Sequence, residues 1–227
     1  MLYGFWMGLA VSVGVLLSLK LPKPAGLRPG QRLAIGLGAY CGAMIGAKLP
    51  FVVTDWEGFR SGYAWFSDGK TIMLGLVGGY FGVVVAKWIM QIDTRTGDSF
   101  AVPVPAAIAV GRLGCFFAPC CYGTPSNLPW ACDFGDGLLR HPTQLYESAF
   151  HLSAALILWT LLKRGLFPGQ LVKIYILSYL VYRFLTEFIR PEPRALLHLT
   201  HYQWASLIFF PLFLLLLLTD TRRLSPS

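Results

Sequence analysis

Charge is scarce in this chain. Of its 227 residues only 13% are Asp, Glu, Lys or Arg, and only 11 are acidic, against about a quarter charged in soluble domains. So thin a supply of charge cannot coat a water-soluble surface of this size. Histidine is sparse too, at 4 residues, which leaves few side chains poised to move protons near neutral pH. No two of the 5 cysteines stand in a C-x-x-C spacing, which argues against a thiol oxidoreductase. The run C-x4-C-C-x10-C from Cys115 to Cys132 matches no common zinc spacing, so no metal is expected.

Apolar residues are what the chain has in quantity: 55% of the total, gathered into long runs. A bilayer core takes about 20 mostly apolar residues per helix. Seven runs qualify, at approximately 1–19, 33–53, 71–91, 100–118, 144–162, 169–188 and 201–219. The expectation is an all-α polytopic membrane protein of seven transmembrane helices, one domain over 1–227 with a short external loop at 119–143. The first run has no basic segment before it, and its cations, Lys20 and Lys23, follow it. It therefore reads as a retained helix rather than a cleaved signal.

The net charge of +8 does not imply nucleic acid, because the cations are sorted by loop. Lys20, Lys23, Arg28, Arg32, Arg95, Lys163, Arg164, Arg222 and Arg223 share one side, and Arg60, Lys70, Arg140, Arg190 and Arg194 the other. The positive-inside rule then puts the N-terminus outside and the C-terminus in the cytoplasm.

With that orientation, polar residues of several spans converge at one depth, in the outer leaflet. Arg112 lies in the outer half of the fourth span and Lys48 in that of the second. His141 stands at the mouth of the fifth, with Gln144 and Glu147 just inside. Tyr179, Arg183, Glu187 and Arg190 fall at i, i+4, i+8 and i+11 of the sixth, one helical face. An arginine in a bilayer costs roughly 2.5–3.5 kcal/mol on insertion scales, so intramembrane charges face a bundle interior or a wet cavity. The four cations Lys48, Arg112, Arg183 and Arg190 outnumber the two anions Glu147 and Glu187. That surplus suits an anionic ligand, and the planar guanidinium is matched to phosphate. The ligand expected is a phospholipid headgroup.

Several motifs carry a family resemblance. G-R-L-G-x-F at 111–116 with Y-G at 122–123, R-H-P-T-Q-L-Y-E at 140–147 and Y-R-F-L-T-E-F-I-R at 182–190 resemble the prolipoprotein diacylglyceryl transferases. So do L-Y-G-F at 2–5, G-A-K-L at 46–49, V-G-G-Y-F-G-V at 77–83 and L-T-H-Y-Q-W-A-S at 199–206. The resemblance implies transfer of a diacylglyceryl group from phosphatidylglycerol to the lipobox cysteine of a prolipoprotein, with release of glycerol phosphate. It implies the outer face of the bacterial inner membrane and no cofactor; separately, a monomer is expected. Arg112 and Arg183 would grip phosphate and stabilise charge, with His141 as the expected base. Tyr3, Lys48, Gly111, Gln144, Tyr146, Glu147, Tyr179, Glu187 and Arg190 would line or support the site.

The chain also departs from the family pattern. Val77 stands where a histidine is common, and Cys115, Ala118 and Cys120 replace two asparagines and a glutamate after G-R-L-G. The family's arm before the first helix is expected to be missing and loop 119–143 to be short. These departures keep two alternatives open: a phospholipid-dependent transferase with another acceptor, and a membrane thiol oxidoreductase using the external cysteines. The cysteines admit a bridge from Cys120 or Cys121 to Cys132, a reactive thiolate near Arg112, or a packing role. His151, in mid-span, reads as a helix-packing hydrogen bonder, and glycines 36, 38, 42 and 46 as a close helix contact.

Overall fold

The computed structural model describes residues 2–66 and 69–222. They fall into two compact units, Pro24–Arg95 and the remainder, Met1–Lys23 with Thr96–Ser227.

The smaller unit consists of α2 (Pro29–Thr54), the short helices α3 (Trp56–Ser61) and α4 (Tyr63–Phe66), and α5 (Ile72–Ile89), following α1 (Leu2–Lys20) of the larger unit in the chain. Pro29 opens α2 at its first position, where the missing N–H costs nothing. The backbones of α2 and α5 touch along a glycine seam. A Cβ on Gly38, Gly42 or Gly46 would strike the carbonyl oxygens of Gly82, Gly78 and Leu74 respectively, while one on Gly36 would meet nothing. The close contact expected from glycine spacing is thus made by three of the four.

The larger unit holds α1, α6 (Asp98–Ala101), α7 (Pro103–Phe117), α8 (Thr143–Lys163), α9 (Leu171–Thr186) and α10 (His201–Arg222). Gly111 and Gly114 of α7 let α1 approach: a Cβ on Gly114 would lie 2.8 Å from Cβ of Trp6, and one on Gly111 3.3 Å from Cε of Met7. The α8 C-terminus closes on Gly165 (φ 64°), with Gly165 N–H donating to Leu162 O and Leu166 N–H to Leu161 O. That paired pattern satisfies carbonyls left over at a helix end. At the same end of α9, Asp98 accepts from the N–H groups of Gly169 and Leu171, and Lys173 pairs with Asp220 of α10.

Among the described residues six helical stretches are long and apolar enough to cross a membrane: α1, α2, α5, α6 with α7, α8 and α10. Their bounds agree closely with the apolar runs. Most of their large side chains face outward, as Leu37, Val85, Ile157 and Leu215 do, which a lipid solvent permits. The sixth run is α9, of 16 residues. It stops at Thr186, and a 3-10 turn follows over Glu187–Ile189. Arg190 precedes Pro191, which disfavours a helical backbone at the residue before it, and Arg190 is extended (φ −109°, ψ 148°). The expected helical face therefore holds from Tyr179 to Glu187 but not to Arg190.

The segment between α7 and α8 carries a small antiparallel pair, β1 (Cys132–Asp133) with β2 (Leu139–Arg140). Asp133 turns it by accepting from the N–H groups of Gly135 and Gly137, both at positive φ.

Candidate active site

Three helices of the larger unit bring their polar residues into contact. Arg112, on α7, is only 7% exposed, and its Nη2 lies 2.6 Å from Oε2 of Glu147 on α8. The buried hydroxyl of Tyr179, on α9, donates to the other oxygen of Glu147. One turn along α8, His151 is fully buried, with Nε2 3.9 Å from Glu147 and Nδ1 2.9 Å from the Tyr175 hydroxyl. One carboxylate thus ties α7, α8 and α9 together. Breaking a buried pair of this kind costs about 3–5 kcal/mol, because the surviving charge has no partner.

Arg183 forms a second buried pair one turn further along, 2.9 Å from Glu187. Its guanidinium also lies over the Tyr202 ring of α10, 4.4 Å from the centroid, a cation–π contact. Arg190, released from the helix, reaches Glu192 only at 3.8 Å. The Nε atoms of Arg112 and Arg190 are buried without an acceptor. Buried donors are nearly always satisfied, and the Glu187 oxygens and Gln144 Oε1 are likewise without a hydrogen-bond partner.

The segment after α7 closes over this cluster. Gly123 N–H donates to His141 O and Thr124 N–H to Ile189 O. A Cβ on Gly123 would lie 2.6 Å from Ile189 O and 2.7 Å from Cβ of His141, so only glycine fits. Thr143 donates to Cys121 O at 2.7 Å, and Gln144 to Cys120 O at 2.6 Å. Nδ1 of His141 is 3.3 Å from the Tyr146 hydroxyl, which accepts from the Trp130 indole at 2.7 Å. His141 is partly buried, so it can meet an incoming group; His151 cannot.

Not every expected residue joins. Tyr3 is 47% exposed on α1. Gly111 lies against Met7 and Ala10 of α1. Lys48 is buried but belongs to the smaller unit. Within the larger unit the balance is therefore Arg112, Arg183 and Arg190 against Glu147 and Glu187. His151 bonds across from α8 to Tyr175 of α9, as expected of a helix-packing hydrogen bonder, and its i, i+4 spacing also sets it beside Glu147.

The cysteines gather differently from the bridge expected with Cys132. All five are free thiols. Sγ of Cys115, Cys120 and Cys121 lie within 4.8 Å of one another, while the Cys132 thiol donates to Trp130 O. Nη1 of Arg112 is 3.5 Å from Sγ of Cys115. A hydrogen bond from Cys115 pushes the Cys121 thiol down, with help from Arg112 and Arg190. Burial pushes the Cys120 thiol up. In the hairpin, a hydrogen bond from Arg140 (2.7 Å) holds the Asp136 carboxyl below its usual range.

Against known proteins, the family model for prolipoprotein diacylglyceryl transferase matches residues 1–219. A phosphatidylglycerol–prolipoprotein diacylglyceryl transferase from Clostridioides difficile is 30% identical over 213 residues, covering 92% of this chain and 86% of that protein. The enzyme of the same name from Finegoldia magna is 30% identical over 198 residues, covering 85% and 79%. One from Bordetella parapertussis is 37% identical over 125 residues, covering 51% and 47%.

Proposed function

The chain belongs to the prolipoprotein diacylglyceryl transferase family, and from that footing we propose that it moves the diacylglyceryl group of phosphatidylglycerol onto the lipobox cysteine of a prolipoprotein. The observation that carries this reading is the Arg112 guanidinium: buried, held by Glu147, with Nε still lacking an acceptor. A lipid phosphate supplies that acceptor and offsets the cost of burying the charge.

In this reading the acceptor sulfur attacks the glyceryl carbon bearing the phosphate. The carbon–oxygen bond breaks, glycerol phosphate leaves with the electron pair, and a thioether forms. Negative charge grows on the leaving phosphate, and donors fixed in advance around it are the largest catalytic contribution. Arg112 and Arg183 fill that role, each locked by its own glutamate, with Arg190 at the rim. The thiol must lose its proton, since the thiolate is the nucleophile. His141, oriented by Tyr146, receives it. Gln144 pins the covering segment, and Tyr179 holds Glu147 in place. Lys48 and Tyr3 are assigned to the lipid path on the strength of their motifs alone.

The same reading takes α9 as a seventh span, puts the N-terminus outside, and sets the site at the extracytoplasmic face of the bacterial plasma membrane, in a monomer. The test is mass spectrometry of a lipobox peptide incubated with the purified protein and phosphatidylglycerol. One diacylglyceryl group should appear on the peptide cysteine, and not with Arg183→Ala. Phosphatidylglycerol consumed with an unmodified peptide would instead mean another acceptor.

A further inference from the structure

We propose that Cys115, Cys120 and Cys121 bind one soft, thiophilic metal ion, of which Cu(I) is the best match. Their three sulfurs already lie within 4.8 Å of one another. Three thiolates around an ion at about 2.3 Å stand about 4 Å apart, so loading asks only for a small contraction. Thiolate ligands select soft ions such as Cu(I). Among the described residues the cluster offers these three ligands, which suits an ion content with three sulfurs better than zinc, which takes four in structural sites.

The framework is held before any ion arrives. Cys120 N–H donates to Cys115 O at 3.2 Å, fixing the turn that folds the later cysteines back over the first. The carbonyls of Cys120 and Cys121 are clamped by Gln144 and Thr143, both buried. Cys121 takes a left-handed backbone (φ 61°) rare for a residue with a Cβ. Cys121 is exposed, giving an ion a way in, and Arg112 beside Cys115 balances part of the negative charge of the loaded trio.

Loading has a consequence that rests on the phosphate role proposed for Arg112, although the metal binding itself does not. An anionic copper–thiolate centre beside Arg112 competes with lipid phosphate for the same guanidinium, so copper should slow turnover.

The experiment is titration of the reduced, detergent-purified full chain with Cu(I) against a competing chelator, with X-ray absorption on the loaded protein. One Cu(I) per chain with three sulfurs in its shell is expected. Cys115→Ser, Cys120→Ser and Cys121→Ser should each weaken binding about 100-fold, as lost ligands do, while Cys41→Ser and Cys132→Ser should not. Mapping alkylated thiols in the unsubstituted protein covers the case of a misfolded variant: copper should shield the trio and leave Cys41 and Cys132 open. Equal binding by the Cys121→Ser variant, shielding that extends to Cys132, or fewer than three sulfurs around the ion would overturn the site. Copper held by the three sulfurs upholds the site even if turnover is unaffected; that combination would count against Arg112 as the phosphate grip.

Discussion

The two halves of this molecule join helices by opposite means. Along the α2–α5 seam, side chains are deleted until backbones touch: a Cβ at Gly38, Gly42 or Gly46 has no room. Among α7, α8 and α9, side chains are added and charged, and one carboxylate, Glu147, is shared by Arg112, Tyr179 and His151. The first solution gains dispersion contact from bare glycine backbones, with no charged side chain needed at the points of contact. The second spends stability on charges that must be paired, and it leaves donors unfilled. Apolar seams hold helices; only the polar junction can hold a phosphate.

The sharpest test of that contrast is Arg183→Ala. Turnover should fall by about 10³, or roughly 4 kcal/mol of transition-state stabilisation, with helix content by circular dichroism unchanged. Wild-type turnover would break the division of labour. Next is Glu147→Ala, expected to lower stability by about 3 kcal/mol, because Arg112 is left buried and unpaired. Combining it with Arg112→Met should recover most of that stability, since a buried pair can be replaced by apolar groups at little cost, and should recover no turnover. Denaturation in mixed micelles measures the first effect and the peptide assay the second.

On the apolar side, Gly42→Leu should cost about 2–3 kcal/mol through overpacking, because the obstacle is a backbone carbonyl that cannot step aside. Gly36→Leu, where a Cβ meets nothing, should stay within about 0.5 kcal/mol of wild type. Equal effects at the two positions would remove the seam. The smallest effect belongs to the hairpin. Asp136 is held below its usual range by Arg140, so it favours the folded turn above the ordinary carboxylate value, about 4. The contribution fades as pH falls through the lowered value. Protection of the Leu138 amide, whose N–H donates to Asp136, should fall at acid pH relative to its intrinsic exchange rate, and that fall should move up toward the ordinary carboxylate range in Arg140→Gln.

Much of this could be read along the chain. Helix bounds followed the apolar runs because each span must satisfy its backbone internally and match a fixed bilayer thickness. Arg112, Glu147, Tyr179, Arg183 and Glu187 stood out because charge is rare enough in such runs that each instance needs a reason. The misreadings share another origin. Arg190 was placed on a helical face that ends earlier, because Pro191 acts on its neighbour's backbone. Close approach of Met7 to Gly111 was not legible either, since it depends on how α1 packs on α7. His151, by contrast, is the helix-packing hydrogen bonder expected, joining α8 to the Tyr175 hydroxyl of α9.

What the sequence by itself determined is therefore the long apolar helices and the residues that do not belong in lipid. Periodicity and transfer free energy act on each segment alone, so they are visible in each segment alone. What only the tertiary structure decided is which partner each polar group takes: Glu147 for Arg112, Tyr202 for Arg183, and Cys115 rather than Cys132 for Cys120 and Cys121. Those choices depend on how the α7–α8 segment turns back and how neighbouring helices are aligned. Pair interactions fall off within a few ångströms, a distance that sequence separation does not encode.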